Sequence, residues 1–535
     1  MTNRTFKAGV SRDQGTLLPP RVEEYVGMDN PVRAIDQYVA VLDLARHGFR
    51  HAVQSSVGAG QPPYDPADNL RLYLYGYLNQ IRSSRRLERE AVRNLELIWL
   101  LKGLTPGYRT IAKFRQENWA ALKAVSREFV VLMRELKLIS GSLVAIDGAF
   151  FHGDASPASI ATHKKLTKQL ATLDRDIEAY GRALNANDAE EARSQAGGGG
   201  DDCNGGDIGE KMAALMARRA KTQADLDHLE ASGESQLSRT DCDARLLTKN
   251  GQTVAGYNVQ IAVDEQHKLI VASEVVNDGN DTGQLYPMAE AAKEALGATM
   301  LQAVADAGYY KSAALKDCED AGIVAYVPLA QRTGRLKAQG RFSHEDFTYD
   351  AEANVYRCPT GELLKPTKSL KHNTGGRLET RYMSRKTTCD ACPLRKRCVS
   401  DKTPTRTVYR WVHEDVIERH RARMEQAGAI MRRRSGLAEH PFGTLKCRAG
   451  YRHFLVRGLN KVRGEWSLMA LCYNFSRVLN IIGFDRFIAY LAERAILVLA
   501  TYVALLWAAT QPSAHSLGRW QAKLHLPRLR LNPAL

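Results

Sequence analysis

The sequence predicts a mixed α/β protein, a sheet flanked by helices, preceded by an all-helical region. Three observations carry this. Apolar residues recur at helical spacing through the first 140 residues. From Gly141 they gather in short β-branched runs separated by helical stretches. Between the first of these runs and the rest lies a long segment with a coiled-coil seam. With 535 residues the chain is too long for a single core, so several domains are expected.

In the helical region, Asp29-Asn30-Pro31 is a cap with proline in the first turn, followed by Val32, Ile35, Val39, Leu42 and Ala45 up to Gly48. Asp65-Pro66 opens a second helix, and Ser84 and Thr105-Pro106 open shorter ones. Arg82, Arg85, Arg86, Arg89, Arg93, Lys102, Arg109, Lys113 and Arg115 crowd here. Short helices rich in arginine fit a helix-turn-helix-like DNA-binding unit, and equally a small bundle with a solvated basic face.

Strands are expected over 143–147, 252–263, 269–276, 300–306 and 323–328, with helices over 285–296 and 312–321. Between them, Leu166, Leu170, Leu173, Ile177, Tyr180 and Leu184 alternate spacings of four and three. Met212, Leu215, Leu226 and Leu229 continue the theme beyond the glycine run 197–200 and Asp201-Asp202. This is expected to be an inserted helical hairpin over 160–235, with the glycines as connector.

The net charge of +16 and a pI near 9.4 point to a polyanionic partner, nucleic acid being the commonest. The competing reading is a generally basic surface. No signal peptide pattern is present at the N-terminus, and the apolar segment 495–509 is shorter than the roughly 18–20 residues that span a bilayer. It reads as a buried helix, so a cytoplasmic protein without membrane contact is expected.

Nine cysteines in such a chain argue against a disulfide framework. Cys389 and Cys392 have the spacing with which two thiolates bind one zinc ion, and Cys358 and Cys398 complete a tetrahedral set. Four reduced thiols without metal, or a redox pair, are the alternatives. Cys203, Cys242, Cys318, Cys447 and Cys472 are scattered.

Asp147 and Asp306 each end an apolar run, and Glu439 lies in the densest basic stretch. Carboxylates held at strand ends and converging in space form a divalent-metal site of the kind used in phosphoryl transfer. Each has a blander reading: an aspartate before glycine is often a turn residue, and a glutamate often favours a helix start. Asp154, Asp264, Glu274, Asp278, Asp281 and Glu465 compete for the role. Glu465 is the main rival to Glu439, because it begins an apolar helix.

Taken together, Val144-Ala145-Ile146-Asp147-Gly148, Gly256-Tyr257-Asn258-Val259-Gln260, Ala305-Asp306-Ala307-Gly308-Tyr309-Tyr310, the four cysteines, and Glu439-His440-Pro441-Phe442-Gly443-Thr444-Leu445-Lys446 resemble bacterial insertion-sequence transposases of the DDE class. The resemblance runs from about residue 20 to about residue 485, on the branch with a helical insertion after the first catalytic aspartate and a four-cysteine motif. It implies a ribonuclease-H-like catalytic domain over 141–485, with the hairpin at 160–235 and the cysteine-rich zinc module at 340–405. A DNA-binding domain at 1–140 precedes it, and an apolar helix with a basic tail at 486–535 follows it.

The same resemblance implies that Asp147, Asp306 and Glu439 hold two Mg²⁺ ions, with Mn²⁺ able to substitute, while Lys446 contacts phosphate. Ser435 stands where relatives carry arginine, with Arg434 one residue away, and Arg432 stands where they carry tyrosine. Arg82, Arg85, Arg86, Arg89, Arg109, Lys113 and Arg434 are the expected DNA contacts. The implied activity is binding of terminal inverted repeats, strand cleavage and transfer to target DNA, by a homodimer in the DNA complex. The alternatives are a non-transposing nuclease of the same fold and a zinc-containing DNA-binding regulator.

Overall fold

Residues 143–152 alternate little and are apolar on both faces, as suits the middle strand of a covered sheet. In the computed structural model, which describes residues 21–53, 62–195, 205–249, 251–329, 338–372, 377–400 and 403–510, this segment is strand β1 (Leu143–His152). The glycine run 197–200 with Asp201, Asp202 and Cys203, and the tail residues Arg519, Lys523, Arg528 and Arg530, lie outside the described residues.

Two short strands, β2 (Ile160–Thr162) and β3 (Gln236–Ser238), pair antiparallel at the base of the inserted hairpin. Its helices are His163–Gln195 and Gly205–Ser232. Leu166, Leu170, Leu173 and Leu229 are buried near this base, and Arg219 bridges the two helices to Asp174. Farther out, Ile177, Tyr180, Leu184, Met212 and Leu215 are half-exposed. The seam predicted by spacing is therefore dry only at the end fastened to the sheet.

The main sheet adds β4 (Arg245–Lys249), β5 (Gln252–Asp264), β6 (Ile270–Val276), β7 (Leu301–Val304) and β8 (Ile323–Tyr326). The order is β4-β5-β1-β7-β8, with β6 also on β5. β1 and β5 run antiparallel, as do β5 and β6, whereas β1, β7 and β8 run parallel. The turn between β5 and β6 is fastened by Asp264, whose carboxylate accepts from the backbone N–H groups of Gln266 and His267. Parallel strands need long crossovers. Helix Leu285–Leu296 leads into β7, burying Leu285, Met288, Ala289, Ala292 and Leu296 and ending at Gly297 with φ +62°. Helix Ser312–Asp320 joins β7 to β8.

One expectation about β1 needs correcting. Asp147 does not end the strand, because the ladder with β5 runs on to His152↔Gly256. What stops near Asp147 is the parallel ladder with β7, whose last pair is Ala145↔Val304.

The cysteine-rich segment carries a second sheet that sequence periodicity did not foretell. It comprises β9 (Thr348–Asp350), β10 (Val355–Arg357), β11 (Leu363–His372), β12 (Leu378–Met383) and β13 (Thr407–Trp411), in reverse chain order. Phe347, Tyr356, Leu364, Tyr382 and Val408 form its core. Lysine, arginine and threonine dominate the other positions, and Pro366 sits within β11, which hides the period-two signal.

Packing divides the chain into two units, residues 1–76 with 84–111 and 478–535, and residues 77–83 with 112–477. These boundaries differ from those at 140 and 486 in the sequence reading. In the first unit, helix Pro31–Ala40 starts as expected, with the Asn30 side chain accepting from Val32 N–H. It stops at Ala40, short of Ala45. Helix Phe484–Thr510 contains the apolar segment 495–509 and buries Phe487 and Leu491, but Ile496 and Leu497 are exposed. The expectation of a buried helix therefore fails at Ile496 and Leu497. No single helix among the described residues is long and apolar enough to cross a membrane.

Candidate active site

The parallel register carries the first result. The last pair of the parallel ladder is Ala145↔Val304, so Asp147 and Asp306 each follow two residues after it, where the β1–β7 ladder opens. Alternation puts Asp147 on the same face as Ala145. That face is covered by helix Gly428–Gly443, whose Leu437 and Ala438 pack with Leu143, Ala145 and Val304. Glu439 is the next residue of that helix and is exposed.

Each aspartate is locally braced. Asp147 Oδ1 accepts from the Gly148 N–H at 2.9 Å. Asp306 caps the short turn Ala307–Tyr309, with Oδ1 accepting from Gly308 N–H at 2.8 Å. The turn reading of Asp306 is thus correct as geometry, and it also aims the carboxylate. Tyr309 follows, fully buried, and its hydroxyl is held far above the usual tyrosine range by burial and then by the charges of Asp281, Asp147 and Asp306. Negative charge is therefore concentrated at this edge of the sheet.

Lys446 reaches the same strand from a single π-type turn, Thr444–Arg448, that continues the Glu439 helix. Its Nζ donates to the Phe150 carbonyl at 2.7 Å and lies 4.4 Å from the centre of the Phe151 ring. Beside Glu439, His440 Nδ1 lies 3.0 Å from the Tyr473 hydroxyl. Burial, then Arg477, Lys268 and Arg448, lower the pKa of this imidazole.

The rival acids are engaged elsewhere. Glu465 is wholly buried, accepting from the Tyr77 hydroxyl at 3.1 Å and Leu455 N–H at 2.8 Å, with Arg82 at 3.7 Å. Glu274 pairs with Lys123 and Arg463, each at 2.6 Å. Asp154 pairs with Arg457, and Asp278 accepts from Gln284. Asp281, weighed in the sequence only as a competitor, is the one the structure brings beside the aspartate pair.

As a test of fit for a metal, Asp147 and Asp306 both act on the buried Tyr309 hydroxyl. Among the described residues, though, no three Asp, Glu, His or Cys side chains are gathered tightly enough to hold an ion. Asp147, Asp306 and Glu439 therefore do not form a closed metal shell in this conformation.

The cysteines meet a similar outcome. Cys358, Cys389, Cys392 and Cys398 line one small cavity of about 30 Å³, with Cys358 near Thr360 Oγ1 at 3.0 Å and Cys389 near Ser384 Oγ at 2.8 Å. Burial pushes the Cys398 thiol up, Arg406 opposes this, and Cys389, Cys358 and Cys392 push it further up. The four thiols are neighbours without yet forming a closed ligand shell.

Among the expected DNA contacts, Arg82 is a correction. Its head is buried against Glu465, donates to the His453 carbonyl at 2.7 Å and stacks 4.7 Å over Tyr451, so it is withdrawn from the surface. Arg85, Arg86 and Arg89 project from helix Ser84–Arg93, which buries Leu87 and Ala91. Arg85 and Arg109 flank the Tyr108 ring at 5.2 and 5.8 Å. Lys113 is exposed, 3.9 Å from Glu117, and Arg434 is half-exposed.

Comparison with known proteins adds the family. A model described as Transposase DDE domain matches residues 357–479, which include Glu439, Lys446 and the four cysteines, but neither aspartate. A model described as Transposase domain (DUF772) matches residues 20–117. No curated protein matches the chain. Among solved structures, the cryo-EM structure of piggyBac transposase synaptic complex with hairpin DNA is similar at 8% identity, over 94% of this chain and 86% of that one. Its TM-score of 0.30 is too low to support any detailed correspondence. Two transposase models matched in succession along one mixed α/β chain support an insertion-sequence DDE transposase.

Proposed function

We propose that this transposase binds the terminal inverted repeats of its element, hydrolyses a strand at each end and joins the freed 3′-hydroxyls to target DNA, acting as a homodimer on the paired ends. The observation that supports the reading is that Asp147 and Asp306 both follow the last β1–β7 pair and both bear on the buried Tyr309 hydroxyl, with Leu437 and Ala438, immediately before Glu439, packed on the same two strands. In this reading the sheet is ribonuclease-H-like, and its strand order and directions support that.

Asp147, Asp306 and Glu439 would hold two Mg²⁺ ions, or Mn²⁺ in their place. Bound there, the metals supply charge neutralisation, an activated oxygen nucleophile and stabilisation of the leaving oxygen. The protein's part is positional. Strand β1 and the turn after β7 hold the aspartates, and helix Gly428–Gly443 carries Glu439. Lys446, tied to Phe150 on the same strand, stands to meet a phosphate next to the scissile bond. The exposed arginines of helix Ser84–Arg93, with Arg109, Lys113 and Arg434, contribute phosphate contacts that register the DNA. Cys358, Cys389, Cys392 and Cys398 would hold a structural zinc, which would tie the second sheet together.

The test is a cleavage and joining assay on terminal-repeat DNA in Mg²⁺ with Asp147→Asn, Asp306→Asn and Glu439→Gln. All three are expected to lose both steps while still binding the ends. Joining by Asp306→Asn at the wild-type rate would sink the reading. Cleavage by the wild-type protein with no joined product would instead support a nuclease.

A further inference from the structure

Gly148, directly after Asp147, is an unusual residue for the interior of β1. Its φ is not in the left-handed region, so conformational freedom does not explain it. Space does. A Cβ placed on Gly148 would fall 2.4 Å from Gln260 Nε2, 2.7 Å from Asp281 Oδ1 and 3.0 Å from the Tyr309 hydroxyl. Those three groups form one hydrogen-bonded network. Asp281 Oδ1 accepts from Gln260 Nε2 at 2.7 Å and from Asn258 Nδ2 at 2.8 Å, while the Tyr309 hydroxyl donates to Gln260 Oε1. Asn258, Gln260 and Tyr309 are fully buried and Asp281 is 7% exposed.

The network touches both aspartate-bearing segments. Gln260 lies opposite Gly148 in the β1–β5 ladder, on the face away from Asp147. Tyr309 belongs to the turn capped by Asp306. Thr282, next to Asp281, donates to the Gly308 carbonyl at 3.2 Å. Asp281 Oδ2 also stands 3.8 Å from where a Cβ on Gly308 would lie.

We propose that Asp281 is a positioning residue: through Gln260, Asn258 and Tyr309 it clamps the Asp147–Gly148 step of β1 to the Asp306 turn, setting the spacing of the two aspartates for metal. The inference rests on the metal-site reading above. A clamp of this kind acts as an outer-shell partner does, by fixing groups that themselves touch the ion. Oδ1 accepts both amide hydrogens, so an asparagine carbonyl can take its place. Alanine cannot, and would remove the acceptor that the two buried amides share, leaving Asn258 only its 3.4 Å bond to the Asp278 carbonyl.

The experiment measures Mn²⁺ binding to the full-length protein by loss of the free-ion EPR signal, with melting temperature and metal-free binding to terminal-repeat DNA measured in parallel. Gly148→Ala and Asp281→Ala are expected to weaken Mn²⁺ binding by about 10–100-fold, the range for outer-shell partners. DNA binding should stay unchanged. Asp281→Asn should recover most of the affinity lost in Asp281→Ala. Tyr309→Phe, which removes one oxygen, serves if Asp281→Ala does not fold, and should also weaken Mn²⁺ binding. Wild-type affinity in Gly148→Ala and Tyr309→Phe, alongside lost binding in Asp147→Asn, would overturn the clamp alone. Equal loss in Asp281→Asn and Asp281→Ala would overturn it too, since the charge rather than the hydrogen bonds would then matter. Unchanged binding in Asp147→Asn would overturn the metal-site reading and the clamp with it.

Discussion

Glu465 and Asp281 are both buried carboxylates, and their surroundings differ in kind. Glu465 has a guanidinium beside it, a phenol and a backbone N–H, so its charge is answered where it sits. Asp281 is held by two neutral amides and shares its region with Asp147 and Asp306, all three acting on Tyr309. Burying an ionised group costs several kcal/mol unless it is paired or hydrogen-bonded. One acid therefore serves the fold. The other, in the proposal above, joins the strand of Asp147 to the turn of Asp306 through neutral amides, by its hydrogen bonds rather than its charge.

The comparison breaks most easily at the aspartates. Asp147→Asn and Asp306→Asn should lower strand cleavage by more than the ~100-fold that loss of an outer-shell partner costs, with melting temperature held or raised as repulsion is relieved. An aspartate variant that is destabilised yet active would place these acids with Glu465.

Arg82→Met supplies the opposite case. Leaving Glu465 buried without its guanidinium should cost about 3–5 kcal/mol of stability in denaturant unfolding. The salt dependence of DNA binding should not change, because Arg82 is not at the surface. A shallower salt slope in this variant would return Arg82 to the DNA contacts.

Smaller effects are expected at the two remaining sites. Cys389→Ser should release about one zinc per chain on elemental analysis and lower the melting temperature, if the four thiols close around the ion. Arg86→Ala and Arg89→Ala should each reduce the log–log salt slope of end binding by about 1, the signature of one phosphate contact. Variants with an unchanged slope would identify these arginines as part of a solvated basic face.

Much of the main sheet was legible because its elements obey local rules. Residues 285–296 form a helix over the expected span, stopped by a left-handed glycine. The β5–β6 pair falls where two apolar runs flank an acidic turn. The two aspartates were legible as acids after apolar runs, although only the fold shows that these runs are neighbouring parallel strands. The second sheet was not legible, since its short strands bury one face and crowd the other with cations. Arg82 was misjudged because a basic cluster in sequence does not reveal which member turns inward to a distant Glu465. The role of Asp281 did leave a trace. Asn258 and Gln260, two residues apart in an otherwise apolar strand, announce a buried polar partner, and the glycine after Asp147 marks where it fits.

The central claim is that Asp147 and Asp306 form one cation site apart from the ion-paired acids. Anomalous diffraction from crystals of the protein grown with Mn²⁺ and terminal-repeat DNA tests it most directly. The account predicts manganese bound by both aspartate carboxylates, with Glu439 drawn in as a further ligand and the ion absent from Glu465 and Glu274. Manganese bound at Glu465 or Glu274, with none between Asp147 and Asp306, would contradict it.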